Sequence, residues 1–264
     1  MKIPATVGIL TYNSEKHLAR ALASVADFAE IVIADGGSTD RTLSIAERYG
    51  VRVISQSYPG HPISDFARER NLTLAAATQP WFFYLDSDEI MSPELAAHIR
   101  EISSGSVHPY DAYRVRYLKT NADASKAYRT YREYYQIRLV RTDIDAHFAR
   151  PVHERIEVPV GMSVGQVEEP WYVPLDADDL SFLVAPNKIW KRAGMEAREA
   201  WRVSNFKNAF MSIIGVPCIR IVKSLFKIVA VKIKYGKDAI PVRYELLRIL
   251  YTLSLSLQCA RRSQ

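Results

Sequence analysis

The chain has 264 residues, of which 48% are hydrophobic, and its formal net charge is +6. This length and composition suit one large domain, with or without an appendage, and exclude an intrinsically disordered chain. The two cysteines, Cys218 and Cys259, lack the spacing of a zinc site or a disulfide framework, which favours a reducing cytoplasm.

The apolar stretches predict neither an export signal nor a membrane span. Residues 1–4 lead directly into an apolar run, without the length or the small-residue cleavage site of a signal peptide. The longest apolar stretch, residues 213–231, is interrupted by Arg220, Lys223 and Lys227, and so falls short of the roughly 18 apolar residues that a transmembrane helix needs. We expect the bulk of the chain to stay in the cytosol.

The first hundred residues alternate between apolar runs typical of strands and segments with helical spacing. The predicted strands are residues 5–10, 31–34, 51–54 and 81–85. The predicted helices are residues 15–28, 39–49 with Ser38 or Thr39 as its cap, 65–77, and 93–102 with Ser92 as its cap. This alternation predicts an α/β fold with a mostly parallel sheet covered on both faces. Ligands of such sheets bind at the carboxyl ends of the strands.

Three polar clusters follow predicted strands, at residues 11–15, 35–40 and 86–89. Asp86 and Asp88 lie two apart, so on an extended chain both carboxylates point to the same side and can bind Mn²⁺ or Mg²⁺. Each cluster taken alone is also compatible with a loop that caps the next helix. Three such clusters at one sheet edge favour a binding site.

The order of these motifs resembles a known enzyme family. The motifs are T-Y-N-S-E at residues 11–15, D-G-G-S-T-D-R-T at 35–42, R-E-R-N at 68–71 and W-F-F-Y-L-D-S-D-E at 81–89. Over about the first 160 residues the chain is similar to the inverting glycosyltransferases of family 2, and in particular to its lipopolysaccharide-core branch. The resemblance implies the GT-A nucleotide-diphosphosugar transferase fold. No G-x-G-x-x-G follows the first strand, which argues against dinucleotide binding.

The resemblance implies a UDP-sugar donor held by the first two clusters. Asp35 would accept a hydrogen bond from the imide N–H of uracil, and Glu15 would bind the ribose hydroxyls. Thr11 or Tyr12 would pack around the base.

The resemblance also implies roles for the acidic cluster after the fourth strand. Asp88 would bind the metal directly, and Asp86 would contact the ribose or bind the metal through water. Glu89 would shape the sugar pocket or support the loop. Arg70 would pair with the diphosphate or order the acidic loop, since its planar guanidinium has the geometry to bind both phosphates and carboxylates. A surface ion pair within its own helix is the alternative for Arg70.

Inverting transfer needs a general base on the face of the donor opposite the leaving UDP. The sequence V-H-E at residues 152–154 resembles the segment that carries the general base in this family. The resemblance therefore implies Glu154 as the candidate base, with His153 as its neighbour. A structural ion pair of Glu154 with Arg138, Arg141 or Arg155 is the competing interpretation. His153 would orient Glu154, contact the metal or bind the acceptor.

Residues 112–119 and 134–141 alternate between polar and apolar types and predict antiparallel strands. The Tyr- and Arg-rich residues 128–132 between them suit either an anionic sugar acceptor or cross-strand packing. No motif supports nucleic-acid binding. Residues 172–176 lack the histidine that often assists the diphosphate in this family, which puts that contact in doubt.

The last 80 residues differ in charge from the rest of the chain. Residues 185–264 hold 16 Lys and Arg against 4 Asp and Glu, whereas residues 1–184 hold 19 against 25. On a helix starting near residues 215–217 and ending near 235–237, four cations share one stripe beside apolar residues. The four are Arg220, Lys223, Lys227 and Lys234. This pattern predicts a basic amphipathic helix on an anionic membrane surface, with packing on the catalytic domain as the alternative.

These observations predict a catalytic domain over residues 1–184, with a nucleotide-sugar half at 1–105 and an acceptor half at 106–184, and a helical membrane-associating region at 185–264. The hypothesis is a metal-dependent transferase that moves a hexose from a UDP-sugar to a lipid-linked or lipopolysaccharide-core glycan. We expect it at the cytoplasmic face of the cell membrane. A non-catalytic nucleotide-sugar-binding protein is the alternative. The sequence leaves the sugar, the acceptor hydroxyl and the oligomeric state undetermined.

Overall fold

The computed structural model describes residues 1–61, 63–105, 110–176, 185–203 and 216–262. The chain forms two compact units. The sheet unit comprises Met1–Leu118 and Glu133–Pro174, and the helical unit comprises Lys119–Arg132 and Leu175–Gln264. The helical unit therefore includes residues 119–132, which the sequence predicted to lie in the acceptor half.

In the part of the chain that the structure describes, the main sheet has eight strands. They are β1 (Ile3–Thr11), β2 (Phe28–Asp35), β3 (Arg52–Ser55), β4 (Trp81–Asp86), β5 (Ile90–Met91), β6 (Ala112–Asn121), β7 (Tyr134–Arg141) and β10 (Val164–Leu175). Their order across the sheet is β3-β2-β1-β4-β7-β6-β10-β5, and β8 (His147–Ala149) and β9 (Arg155–Glu157) form a separate pair.

The sheet is mixed, with one parallel half and one half of antiparallel pairs. β1 pairs in parallel with β2 and β4, and β2 pairs in parallel with β3. β7 is antiparallel to β4 and β6, and β10 is antiparallel to β5. The predicted α/β fold is confirmed, and the parallel half is the part that the strand-helix alternation predicted.

Apolar side chains of β1 and of both faces of β4 form the core. Phe83 and Leu85 face one cluster, whereas Phe82 and Tyr84 face another with Phe148. Gly8 of β1 is needed for close packing between these layers. A Cβ at this position would lie 2.6 Å from both the Phe82 ring and Thr73 Oγ1.

Among the described residues of the sheet unit, three helices connect the strands of the parallel half, and a fourth lies between β5 and β6. They are α1 (Leu18–Ser24), α2 (Thr42–Arg48), α3 (Phe66–Ala75) and α4 (Pro93–Ser103). α4 begins as predicted, because Ser92 Oγ accepts a hydrogen bond from Leu95 N at 3.1 Å and Pro93 takes the first position.

The predicted helices over residues 15–28 and 39–49 were too long. α1 ends at Ser24, because Phe28 already belongs to β2 and pairs with Ile3. α2 begins at Thr42, whose N–H donates to Asp40 Oδ1 at 2.9 Å. The predicted caps Ser38 and Thr39 were therefore wrong, and Ser38 serves the preceding loop instead.

The register between β6 and β7 shifts by one residue at Arg138. Tyr113 faces Leu139, whereas Arg114 faces Ile137, so Arg138 has no direct partner across the pair. Such shifts change the direction of a side chain. Here Arg138 turns to Glu89 in the loop after β4.

The helical unit contains α5 (Ala185–Val203), α6 (Val216–Tyr235), a 3₁₀ turn at Gly236–Asp238 and α7 (Val242–Arg262). Tyr251 of α7 donates to Glu196 of α5, and the Arg261 guanidinium lies 5.3 Å from the Trp190 ring centroid. The predicted helix start at Gly215 lies outside the described residues.

Residues 119–132 pack on the end of α6 and the turn after it. Lys126 forms an ion pair with Asp238 at 2.8 Å, and Arg129 N donates to the Asp238 carbonyl at 2.8 Å. The Tyr131 and Phe226 rings meet edge to face, with their centroids 6.3 Å apart. Within the described ranges, no helix combines the length and the apolar content that crossing a bilayer requires.

Candidate active site

The structure brings the three predicted polar clusters together at one edge of the sheet. Across the parallel register, Thr11 of β1 faces Asp35 of β2, and Leu10 faces Asp86 of β4. Ser14 Oγ and Ser87 Oγ are 3.0 Å apart, which links the loops after β1 and β4 directly.

Asp35 is buried and holds its own loop in place. Its Oδ1 accepts from Thr11 Oγ1 at 2.7 Å and from Ser38 Oγ at 2.6 Å. Its Oδ2 accepts from the backbone N–H groups of Gly37 at 2.9 Å and Ser38 at 2.8 Å. A carboxylate has about four acceptor positions, so the loop already uses them. The predicted contact of Asp35 with uracil remains a prediction, and it requires one of these bonds to be exchanged.

Gln56, which sequence reasoning missed, is a buried part of the same site. Its Nε2 donates to the carbonyls of Thr11 at 3.2 Å and Ala34 at 2.9 Å. Gln56 therefore links β1 to β2 near their ends, at the point where the chain leaves β3. A Cβ on Gly36 would come within 2.9 Å of Gln56 Oε1 and 3.1 Å of the Tyr12 ring. Tyr12 itself is exposed. The available signal was position, because Gln56 directly follows a strand of the parallel half.

Glu15 is partly exposed and paired with Arg41 at the start of α2. Glu15 Oε2 accepts from Arg41 Nε at 3.0 Å and from Arg41 N at 3.1 Å. These hydrogen bonds lower the pKa of the Glu15 carboxyl. Glu15 is therefore ionised at neutral pH, as its predicted role as a hydrogen-bond acceptor for ribose requires.

The acidic loop after β4 divides into two accessible carboxylates and one buried carboxylate. Asp86 is partly exposed and Asp88 is exposed. Glu89 is buried and accepts from Arg138 Nη1 at 2.8 Å, from Arg138 Nη2 at 3.2 Å and from Asp86 N at 3.0 Å. These contacts correspond to the loop-supporting role of Glu89, because they fix the backbone at Asp86. The role of Glu89 in a sugar pocket stays a prediction.

Arg70 of α3 connects the acidic loop to the candidate base. Its side chain is only 4% exposed, its Nε donates to Glu154 Oε1 at 2.8 Å, and its Nη2 pairs with Asp86. The guanidinium also lies 4.7 Å from the Tyr84 ring centroid. Burial alone would lower the pKa of Arg70, but the charges of Asp86 and Glu154 raise it above its usual value.

The partners named in the alternatives for Arg70 and Glu154 are wrong, although Glu154 does form an ion pair, with Arg70. On α3, Asp65 caps the helix by accepting from Arg68 N, and Glu69 pairs with Arg68 rather than Arg70. The three cations considered as partners of Glu154 have other partners. Arg138 pairs with Glu89, Arg141 with Asp111 and Asp143, and Arg155 with Glu157.

α3 also holds the segment that carries Glu154. The Asn71 side chain donates to the Phe148 carbonyl at 3.0 Å and accepts from Phe148 N at 2.8 Å. Phe66 N donates to the Pro151 carbonyl at 2.9 Å. The neighbouring Arg and Asn of the R-E-R-N motif thus position one loop together.

The turn before Glu154 has an uncommon backbone. Arg150 has φ 74° and His153 has φ 56°, backbone angles that residues other than glycine rarely adopt. Such backbone strain concentrates at functional sites. His153 is exposed next to Glu154, and its three predicted roles stay predictions.

The carboxylates fit a divalent metal that binds together with a diphosphate. Among the described residues, no group of three or more His, Cys, Asp or Glu side chains is arranged to hold a metal ion. Mg²⁺ is commonly bound by one or two carboxylates together with substrate phosphates and waters. Asp86 and Asp88 supply such a partial set of oxygen ligands. Glu89 does not contribute, since Arg138 holds its carboxylate.

The sequence matches a family model and several curated proteins. The model described as glycosyl transferase family 2 matches residues 6–153, more than half of the chain. The chain is 31% identical over 109 residues to the lipopolysaccharide core biosynthesis glycosyltransferase LpsC of Rhizobium meliloti. That alignment covers 40% of this chain and 39% of the relative. The match thus spans well under half of the relative.

Solved structures share the fold at low sequence identity. The mannosyltransferase PcManGT from Pyrobaculum calidifontis, in complex with GDP-Man and Mn²⁺, is 12% identical with a TM-score of 0.53, covering 100% of this chain and 89% of that one. S. aureus TarS 1-349 in complex with UDP-GlcNAc is 18% identical with a TM-score of 0.50, covering 100% and 93%. These similarities confirm the predicted nucleotide-diphosphosugar transferase fold.

Proposed function

Since the chain belongs to glycosyl transferase family 2, we propose that it is a metal-dependent, inverting hexosyltransferase that uses a UDP-sugar. Its acceptor would be a lipid-linked or lipopolysaccharide-core glycan at the cytoplasmic face of the membrane. The observation that carries the proposal is the ion-pair cluster in which Arg70 joins Asp86, on the donor side, to Glu154, the candidate base.

On the donor side, the loops after β1, β2 and β4 form the nucleotide-diphosphate site. Thr11 and Asp35 order the loop that would meet uracil, and Glu15 would accept from the ribose. Asp88, with Asp86, would hold Mn²⁺ or Mg²⁺ against the diphosphate. The metal would offset the negative charge that develops on the departing UDP.

On the acceptor side, Glu154 would take the proton of the attacking hydroxyl. The acceptor oxygen forms a bond to the anomeric carbon from the face opposite UDP, while the bond from that carbon to the phosphate oxygen breaks. The proton passes to Glu154, and UDP leaves with the electron pair. Arg70 keeps the Glu154 carboxylate at a defined place beside the donor site.

The acceptor class rests on similarity and on the surface of the helical unit. The matched region of LpsC, named as a lipopolysaccharide core biosynthesis glycosyltransferase, supports a glycan acceptor of this kind. A membrane-anchored acceptor also requires the enzyme to work close to a bilayer.

The exposed side of α6 supports contact with an anionic bilayer. Large apolar side chains are exposed along the helix, with Phe226 at 63% and Ile233 at 81%. The others are Ile219, Val222, Leu225 and Val229. Arg220, Lys223 and Lys234 are exposed next to this face, and Lys227 is half-buried. Exposed apolar residues flanked by cations are typical of helices in a membrane interface.

Donor binding is tested by thermal unfolding with a panel of nucleotide sugars. We expect UDP-sugars with Mn²⁺ at about 100 times Kd to raise Tm by about 5 to 10 °C, because ligand that binds only the folded chain stabilises it. Purine nucleotide sugars should have a smaller effect. The same panel, assayed for UDP release with a lipopolysaccharide-core acceptor, measures turnover.

Two outcomes would contradict the proposal in different ways. Stronger stabilisation by GDP-sugars than by UDP-sugars would show that the donor base is wrong. Stabilisation by UDP-sugars without UDP release on any acceptor would favour the alternative of a nucleotide-sugar-binding protein.

The membrane proposal predicts that the cationic stripe carries much of the binding to anionic vesicles. Changing Arg220, Lys223, Lys227 and Lys234 to Gln should weaken binding to phosphatidylserine liposomes by about 10³-fold at low salt, since each cation near such a surface contributes about 1 kcal/mol. The wild-type protein should lose affinity as salt rises. Liposome co-sedimentation measures both effects.

A control variant separates the stripe from total charge. Changing Lys2, Arg48, Arg52 and Arg114 to Gln removes the same charge from exposed positions of the sheet unit. We expect this variant to bind liposomes nearly as the wild type does. Equal binding by the stripe variant and the wild type would refute electrostatic attachment through α6.

A further inference from the structure

We propose that Arg70 is a positioning residue shared by two groups of the reaction, so that metal binding at Asp86 and the placement of Glu154 are coupled. This inference rests on the proposed function, because it assigns the metal to Asp86 and proton transfer to Glu154. It goes beyond the proposed function by predicting that one arginine opposes metal binding and yet is needed for turnover.

The first step of the argument is that Arg70 cannot be a surface cation. Its guanidinium is buried and stacked near the rings of Tyr84 and Phe148, at 4.7 and 5.9 Å from their centroids. A buried charge must be paired. The partners of Arg70 are Asp86, 16 residues away, and Glu154, 84 residues away. Two different nitrogens of one planar guanidinium therefore bind the two carboxylates.

The second step concerns the competition for Asp86. A divalent cation and Arg70 Nη2 would both be attracted to the Asp86 carboxylate, and the positive charge of Arg70 repels a cation at short range. Arg70 thus lowers the affinity of the loop for metal. By reciprocity, a metal ion bound at Asp86 weakens the contact between Asp86 and Arg70. The Arg70 guanidinium then pairs with Glu154.

The third step concerns Glu154. Asn71 and the backbone N–H of Phe66 hold the segment around Glu154, but Arg70 makes the contact with the carboxylate itself. A lysine keeps the charge but not the planar fork, and so cannot hold two carboxylates in fixed directions. Turnover therefore requires the fixed positions of the guanidinium nitrogens as well as the positive charge of Arg70.

Mn²⁺ titration, both without nucleotide and with saturating UDP, followed by electron paramagnetic resonance, tests the competition. We expect Arg70→Gln to bind Mn²⁺ about tenfold more tightly than the wild type while kcat falls about 10²-fold. Arg70→Lys should restore wild-type Mn²⁺ affinity but not kcat. Arg141→Gln, which removes an arginine paired with carboxylates elsewhere in the sheet unit, should change neither quantity.

A second variant tests the coupling from the other end, even if Arg70→Gln does not fold. Glu154→Gln should weaken Mn²⁺ binding about threefold, because Arg70 without the Glu154 charge pairs more strongly with Asp86. Glu157→Gln removes the same charge three residues away, where the carboxylate pairs with Arg155, and should leave Mn²⁺ affinity unchanged.

The outcomes distinguish this inference from the proposed function. A wild-type chain that binds no Mn²⁺ would overturn the metal dependence. Normal Mn²⁺ binding that Arg70→Gln leaves unchanged or weakens would overturn the coupling alone, as would an unchanged Mn²⁺ affinity in Glu154→Gln. A purely structural arginine would lower stability and kcat without tightening metal binding.

Discussion

Glu154→Gln is expected to lower kcat by about 10³-fold and to leave UDP binding nearly unchanged, because a general base contributes about 10²- to 10⁴-fold. The amide has nearly the size of the carboxylate and keeps an oxygen that accepts from Arg70 Nε. The substitution therefore removes basicity while it preserves much of the local contact. UDP-release kinetics with saturating donor and acceptor measure kcat, and calorimetry measures the affinity for UDP.

The structure offers a close control for the Glu154 experiment. Glu157 lies three residues further along, is paired with Arg155, and does not contact Arg70. Glu157→Gln should retain wild-type kcat. If Glu154→Gln kept more than about a tenth of wild-type kcat, another group would have to be the base. If it unfolded at a clearly lower temperature, the structural interpretation of Glu154 would gain support.

Asp88→Asn is expected to reduce kcat/KM by about 10³-fold, with a higher Mn²⁺ concentration needed for half-maximal rate. The metal contributes several kcal/mol by offsetting charge on the leaving diphosphate, and an amide is a weaker ligand than a carboxylate. Asp88 is exposed, so its substitution should cost little stability. If the Tm of Asp88→Asn, measured by thermal unfolding, stays near that of the wild type, the loss of kcat/KM arises in the candidate active site and not from unfolding.

Metal titration of the rate is the decisive measurement for Asp88. Asp145→Asn, at another exposed aspartate of the sheet unit, is the matched control and should behave as the wild type. Unchanged kcat/KM and unchanged metal requirement in Asp88→Asn would refute the role of Asp88 as a metal ligand. Asp86 would then be the remaining carboxylate candidate in the loop.

The location of the site could be predicted because it depends on local patterns. Each polar cluster directly follows an apolar strand, and parallel strands place their carboxyl ends at one edge. The register of β1 with β2 and β4 sets Asp35 opposite Thr11 and Asp86 opposite Leu10, one residue away. The boundaries of α1 and α2 were less predictable, because strand pairing and the hydrogen bond from Thr42 N to Asp40 decide where these helices begin and end.

Gln56 shows what local patterns miss. Its amide is buried and bonds to carbonyls 45 and 22 residues away. A glutamine after a strand has no distinctive spacing, so only the neighbouring strands reveal its function. The inclusion of residues 119–132 in the helical unit is similar, since it depends on contacts with residues near 238.

The sequence by itself determined the fold class, the family and the edge of the sheet where the proposed donor site lies. These follow from strand-helix alternation and from motifs whose members are close in the chain. Only the tertiary structure decided which arginine serves which carboxylate. Arg70 and Arg138 are both buried, and they reach Glu154 and Glu89 across 84 and 49 residues. Their partners depend on the register shift in β7 and on how residues 147–157 fold back onto α3. Electrostatic attraction is not specific to one carboxylate, so the packed backbone selects the pair.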